Sequence, residues 1–330
     1  MAGWQSLKGQ QLLKIGLGNL LARHRVSHAV LLTGPAGSGK RTWGRALAQA
    51  LLCSERAGAD PCLSCLSCRQ FQSGNHPRFI NLEPQGRQLK VQQIREVRPS
   101  FYLEGGNTVC LIHQAEKMTA VACSSLLKIL EEPPPGLHFI LLSAEPGRLF
   151  PTILSRCQRF TLLPLSNGEI TELLLERTAL SREAAELIAR LSGGLPGRAL
   201  ALAGDETFKE RLAGAASLVR ELARSGGNPR NWLTRAGELA EREDLVPLLE
   251  LLHLCLRDAL ILSLCRRNDL LINPGNARLW EDLPASALLE EAVELVSATI
   301  SDLLTTNVNR RLALESLFLL LQRRLSGCPG

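Results

Sequence analysis

A short apolar run, His28 to Thr33, passes directly into Gly34-Pro35-Ala36-Gly37-Ser38-Gly39-Lys40, and a helical pattern from Arg41 to Leu52 starts at once behind it. This succession of strand, glycine-rich loop and helix constrains the fold more than any other stretch of the chain. The glycines let consecutive backbone N–H groups turn inward toward phosphate oxygens, the helix N-terminus adds its dipole, and Lys40 adds a positive charge. Such a loop works only at the end of a strand that lies in a covered sheet. The expected phosphate-binding residues are Gly34, Gly37, Ser38, Gly39 and Lys40, followed by Arg41 and Thr42 at the start of the helix.

Further β-rich runs support a sheet: Arg78 to Leu82, Thr108 to Ile112, His138 to Ser143 and Arg159 to Leu163. They alternate with helical periodicity, the pattern of a parallel sheet flanked by helices. From Ser166 onward only amphipathic helical segments stand out, among them Glu169 to Arg177, Arg182 to Leu191, Leu245 to Leu264 and Leu312 to Arg324. Glycine and proline interrupt them at residues 193–197, 225–229 and 273–276. With 330 residues, two or three cores are expected. Boundaries fall near Pro164 and Gly204, giving 1–164, 165–204 and 205–330.

The loop lacks what hydrolysis requires. In hydrolysing phosphate loops a Ser or Thr follows the lysine and its hydroxyl holds magnesium; here Arg41 stands there and Thr42 comes one residue late. One step along a helix turns a side chain by about 100°, so Thr42 is a poor replacement. The strand Thr108 to Ile112 is expected to end in two acids, one for magnesium and one to orient the attacking water, yet His113 and Gln114 follow it. Neither offers the anionic oxygen that magnesium prefers, and Gln114 cannot accept a proton from water. ATP or ADP binding without turnover is therefore expected, with Glu116 flanking the next helix rather than acting in the site.

Charge and composition exclude some classes. Hydrophobic residues form 45% and charged residues 21% of the chain, the range of ordinary globular proteins. The opening segment has no signal-like apolar region, and Glu250, Arg257 and Asp258 interrupt the most apolar later stretch, so a cytoplasmic protein without membrane contact is expected. The net charge of +6 permits contact with phosphate backbones without demanding it. Of the ten cysteines, Cys53, Cys62, Cys65 and Cys68 are clustered. Four thiolates can close a tetrahedral structural zinc site. The competing iron–sulfur pattern wants a fourth cysteine, separated from Cys68 by three residues and followed by proline, and Gln72-Ser73 stand there instead.

These motifs resemble those of the bacterial clamp-loader subunits of DNA polymerase III, within the AAA+ ATPases, and the delta-prime branch most closely. The likeness is carried by Gly9-Gln10, Asn75-His76-Pro77, Val91-Gln92-Gln93-Ile94-Arg95 and above all Ser125-Leu126-Leu127-Lys128-Ile129-Leu130-Glu131-Glu132-Pro133-Pro134. Arg78 stands where an acid is usual after the His-Pro pair, and Ser125 where asparagine is common. The resemblance implies an α/β AAA+ core holding a zinc module at 53–68, then a small helical lid and an all-α collar through which subunits form a ring. It also implies that Arg156, in Ser155-Arg156-Cys157, acts in trans on the ATP site of a neighbouring subunit. A planar, permanently charged guanidinium suits the charge that develops on a transferred phosphoryl group. Arg198 resembles a lid arginine that senses nucleotide, although a surface role at a helix start fits it as well. The implied partners are gamma/tau ATPase and delta subunits and, through the assembly, the sliding clamp and primed DNA. The alternatives are an active gamma/tau-type ATPase, against which His113 and Gln114 count, and a free-standing nucleotide-binding zinc module.

Overall fold

The computed structural model describes residues 7–56, 58–223, 229–280 and 286–325. It divides into two compact units, Met1–Ala203 and Gly204–Gly330. The first is built on five parallel strands, β1 (Ala29–Thr33), β2 (Phe79–Leu82), β3 (Thr108–Ile112), β4 (Leu137–Ser143) and β5 (Gln158–Thr161), in the order β2-β3-β4-β1-β5. Insertion of β4 beside β1 brings the loop that follows β1 between the ends of strands far apart in sequence. The parallel sheet flanked by helices, with a helical region after it, is the α/β architecture expected from the motifs.

Helices α1 (Gln11–Ala22), α2 (Lys40–Leu52), α3 (Leu66–Gln72), α4 (Val91–Val97), α5 (Ala120–Glu131) and α6 (Pro151–Leu154) lie among the strands in sequence. Strand alternation divides the core between the two faces of the sheet. Leu31, Cys110, Ile112, Phe139 and Leu141 pack with α4, α5 and α6, whereas Val30, Leu32, Val109, Leu111, Ile140 and Leu142 pack with α1 and α2. Every residue of β1 and β3 is buried, which explains why both read as unbroken apolar runs. At Gly44 an added Cβ would lie 2.9 Å from Leu111 Cδ1 and 3.1 Å from Leu142 Cδ2, so a glycine there lets α2 settle onto the sheet.

Helices α7 (Asn167–Arg177), α8 (Arg182–Leu191) and α9 (Pro196–Ala203) belong to the same compact unit as the sheet. Ser166 caps α7 in a reciprocal box with Glu169, and the Ser181 hydroxyl accepts from Ala184 N–H to cap α8.

The second unit, among its described residues, is helical: α10 (Phe208–Ala223), α11 (Pro229–Ala240), α12 (Leu245–Cys265), α13 (Ser286–Thr305) and α14 (Arg310–Leu325). The interruption expected at 225–229 falls mostly outside the described residues, as does Cys328. Trp232 and Phe318 meet edge to face at 5.9 Å, joining α11 to α14. Asp258, only 2% exposed, accepts N–H bonds from Ile272 at 2.9 Å and Asn273 at 2.7 Å, which pins the segment after α12 back onto that helix. No helix among the described residues is long and apolar enough to cross a membrane.

Candidate nucleotide site and cysteine centre

The loop between β1 and α2 takes the conformation its glycines permit. Gly37 and Gly39 have φ of 80° and 90°, a left-handed region that side chains disfavour, and Gly39 is the N-cap of α2. Lys40 Nζ donates to the carbonyls of Gly34 at 2.7 Å and Pro35 at 2.8 Å. Burial lowers its pKa, an effect that the carboxylate of Glu116 opposes. From α9, Gly197 N–H donates to Gly37 O at 2.8 Å, so the glycine loop is braced by the helices that follow the sheet. The backbone N of Arg198 lies beside Gly37 as well.

Beside this loop is a cavity of about 250 Å³ whose lining includes Gln10, Ser38, Thr42, Trp43, Gln49 and Leu200. Ser38 Oγ and Gln49 Nε2 are buried and unpartnered, so both offer hydrogen bonds to an occupant. Gln10 is held at the rim by its own amide, which donates to Leu163 O at 2.5 Å and accepts from Leu163 N–H at 3.0 Å. The one-residue offset foreseen from the sequence is visible here. Thr42 lines the cavity, while Arg41 lies outside that lining and reaches the end of β2, where its Nη2 pairs with Glu83 Oε1 at 2.5 Å.

At the ends of β2 and β3, where the sequence lacks the expected acids, a polar network stands. His113 Nε2 lies 2.8 Å from Asn81 Oδ1 and 3.8 Å from Glu83 Oε1, and Asn81 Nδ2 donates to that Glu83 oxygen at 3.1 Å. Burial lowers the pKa of His113; Glu83 opposes the shift and Arg41 and Arg45 add to it. The imidazole is therefore neutral at pH 7. Gln114 is exposed in a left-handed conformation at φ 48°.

Glu116 departs from expectation. It does not merely flank the next helix: its Oε1 accepts from Ala144 N–H at 3.3 Å across the end of β4, and its Oε2 is buried without a partner. The short 3₁₀ turn Ala115–Lys117 aims it there.

Arg156 follows α6, whose Ile153 is fully buried and anchors the turn. Its guanidinium, 34% exposed, pairs with Glu131 Oε1 at 2.6 Å and donates to Thr152 O at 3.1 Å and Ser155 Oγ at 3.3 Å. Glu131 ends α5 in the Leu-Leu-Lys-Ile-Leu-Glu-Glu string, so the two strings of the sequence resemblance meet in one ion pair.

The four clustered cysteines converge, with all sulfurs within 4.8 Å of one another. Individual separations are 3.5 Å for Cys53–Cys62, 4.0 Å for Cys53–Cys65 and 4.0 Å for Cys62–Cys68. A tetrahedral ion with metal–sulfur bonds of about 2.3 Å requires sulfur–sulfur edges of about 3.8 Å. Backbone N–H groups of Cys62, Cys65 and Cys68 point at the sulfurs of Cys53, Cys62 and Cys65, at 3.3, 3.3 and 3.4 Å. At Cys65, burial favours the thiol but is outweighed by hydrogen bonds from Ser54 and the Cys68 backbone, and the pKa falls to about 6. Burial pushes Cys53 and Cys68 upward. Ser67, on α3, ties this module to the sheet unit by donating to Leu52 O at 2.6 Å and meeting His76 Nε2 at 2.9 Å.

Of the residues named from the sequence, Ser38, Gly39 and Thr42 line the cavity, Lys40 folds back onto the loop carbonyls, Arg41 pairs with Glu83, and the four cysteines converge. The sequence reading missed Asn81, Glu83 and Glu131, whose partners lie 25 to 42 residues away. The only signal for Asn81 and Glu83 was polarity at the end of an apolar strand.

The chain is similar to known proteins over much of its length. Residues 9–166 match the family described as DNA polymerase III, delta subunit. The chain is 31% identical to the DNA polymerase III subunit delta' of Bacillus subtilis over 93% of its own length and 94% of the relative's. It is 36% identical to the subunit of the same name from Pseudomonas aeruginosa, over 68% of this chain and 70% of that one. A solved DNA polymerase III gamma subunit-related protein from Thermotoga maritima superposes with a TM-score of 0.41 and 18% identity, covering 94% of this chain and 98% of that chain.

Proposed function

Because this chain belongs to the DNA polymerase III delta-prime family, it is a clamp-loader subunit, and we propose that it acts there as a non-hydrolysing stator offering Arg156 to the ATP site of a neighbouring subunit. The observation that carries the reading is the replacement of the hydrolytic residues by the Arg41–Glu83–Asn81–His113 network beside an intact glycine loop. Without a carboxylate at 113 or 114, no side chain there can both hold magnesium and deprotonate water. The loop and the adjoining cavity still suit ATP or ADP, held by backbone amides, Ser38 and Lys40 without turnover.

For Arg156, exposure and tethering both matter. An arginine that acts on another chain has to be accessible, and one already held by Glu131 loses less side-chain freedom on engaging its target. The ion pair is partly solvated, so Arg156 can leave Glu131 for phosphate at little cost. In this reading the neighbour is a gamma/tau ATPase, delta is the other partner type, and the assembly acts on the sliding clamp and primed DNA in the cytoplasm. Helices α7–α9 form the lid, and 205–330 the collar. Cys53, Cys62, Cys65 and Cys68 hold a structural zinc that fixes the 53–68 module and takes no part in catalysis.

The test is ATP turnover in two settings. The purified chain, with DNA and magnesium, should hydrolyse ATP no faster than its Lys40→Ala variant. In a reconstituted loader, Arg156→Ala should lower turnover by about 10³-fold or more at the site it serves, with assembly intact. Turnover by the isolated chain that Lys40→Ala abolishes would instead identify a working motor.

A further inference from the structure

We propose that the loop site binds a nucleoside di- or triphosphate without magnesium, with the guanidinium of Arg41 standing in for the metal cation. The inference rests on the reading of the loop and cavity as a nucleotide site, and it specifies the charge state of the ligand taken there.

Three observations carry it. Arg41 occupies the position behind the loop lysine from which a hydroxyl otherwise reaches magnesium, and its guanidinium extends to the ends of β2 and β3 to meet Glu83 at 2.5 Å. A fixed positive charge thus shares the Glu83 carboxylate with His113, and 41 and 113 are the two positions that supply magnesium ligands in hydrolysing loops. His113, at the end of β3, presents a neutral imidazole whose Nε2 is already engaged by Asn81 at 2.8 Å. Magnesium takes oxygen ligands in strict geometry, and this nitrogen offers it nothing. Lastly, Arg41 and Arg45 both act on His113, and Lys40 lies at the start of the same helix. Lys40, Arg41 and Arg45 are opposed here by Glu83 and Glu116, and three cations against two carboxylates suit a polyphosphate better than a free dication.

Glu83 fits this account as a resting partner. Its ion pair with Arg41 is well exposed on both sides, at 62% and 45%, and such solvated pairs exchange readily. Phosphate oxygens match the guanidinium fork as well as carboxylate does, so Arg41 can pass from Glu83 to a phosphate. The competing arrangement uses Glu116, whose buried Oε2 has no partner and could ligate a metal ion. The two arrangements predict opposite responses to chelation.

The experiment is a fluorescence titration of the full chain with methylanthraniloyl-labelled ADP, in excess magnesium and in excess EDTA. The two dissociation constants are expected to agree within about threefold. Arg41→Ser should weaken binding in EDTA by about tenfold, equivalent to about 1.4 kcal/mol. Arg41→Lys, which keeps the charge but loses the fork, should fall between. Glu83→Gln, which releases the guanidinium, should tighten binding in EDTA. Wild-type binding that needs magnesium, weakening more than about tenfold in EDTA, would overturn the inference and leave the nucleotide reading standing. Unchanged binding of Arg41→Ser in EDTA would overturn it too. Absence of binding in both buffers would remove the nucleotide reading itself.

Discussion

The contact between Gly197 and Gly37 makes a sharp prediction, because the two backbones approach too closely for any side chain. A Cβ built at Gly197 would lie 3.0 Å from Gly37 Cα and 3.1 Å from Gly37 O, whereas carbon atoms in contact prefer about 3.5–4.0 Å. The obstacle is backbone, and Gly37 is already committed to φ 80° by its place in the loop. In Gly197→Ala the start of α9 must therefore withdraw by about 0.5 Å, stretching the 2.8 Å bond from Gly197 N–H to Gly37 O. Overpacking of this kind costs about 1–3 kcal/mol, and the weakened hydrogen bond adds up to about 1 kcal/mol. Two further glycines calibrate the effect. At Gly44 the new methyl would meet only side-chain ends, so Gly44→Ala should cost stability in the same range but leave the loop in place. At Gly147 nothing lies within 4 Å, and replacement should be neutral or stabilise by about 0.4–1 kcal/mol. Urea unfolding gives the stabilities, and ADP titration reports the loop. Gly197→Ala alone should lose both stability and affinity. If it behaves like Gly147→Ala, α9 does not brace the loop and the account of the site is wrong.

Other expectations concern the cysteine centre and the helical unit. The purified chain should carry a single zinc, which Cys65→Ser releases together with protease resistance across residues 53–68; metal content by absorption spectroscopy and limited proteolysis check this, and a metal-free wild type that resists protease would refute it. Asp258→Ala should destabilise the second unit by about 2–5 kcal/mol, because Ile272 and Asn273 N–H groups lose their acceptor in a buried place. Asp258→Asn, which keeps one acceptor oxygen, should cost about half as much, and equal losses in urea melts would count against the assignment.

The strands were legible wherever burial is two-sided. Thr108-Val109-Cys110-Leu111-Ile112 is covered on both faces, so its composition alone marks it, and β1 is the same. Strand β5, mostly exposed at the sheet edge, was placed slightly late, because Gln158-Arg159-Phe160-Thr161 carries no continuous apolar signal. The conformation of the glycine loop and the convergence of the four cysteines were legible because the residues concerned are local in sequence. The Arg41–Glu83 pair was not, because it depends on β2 and β3 lying side by side with their ends beside α2. Glu116 was misjudged for a related reason. Its hydrogen bond goes to Ala144, at the end of a strand that becomes its neighbour only through the sheet order.

The presence of His113 and Gln114 rather than acids at the end of β3 carries a structural consequence of its own. An aspartate at 113 would face Glu83 across Asn81, placing two carboxylates at the ends of adjacent strands; without a metal they would repel. A neutral histidine removes that conflict and bonds to Asn81, and the Arg41 guanidinium neutralises the carboxylate that remains. The substitutions at 41 and 113 are thus physically coupled through Glu83: each makes the other tolerable in the absence of bound metal. Placing aspartate at 113 alone should therefore destabilise the sheet unit, and Arg41→Ser combined with it should add to the damage unless magnesium is supplied. Stabilisation by magnesium of the double variant and not of the wild type, seen as a rise in Tm, would show that the polar network has replaced a metal site; equal response in both would show that it has not.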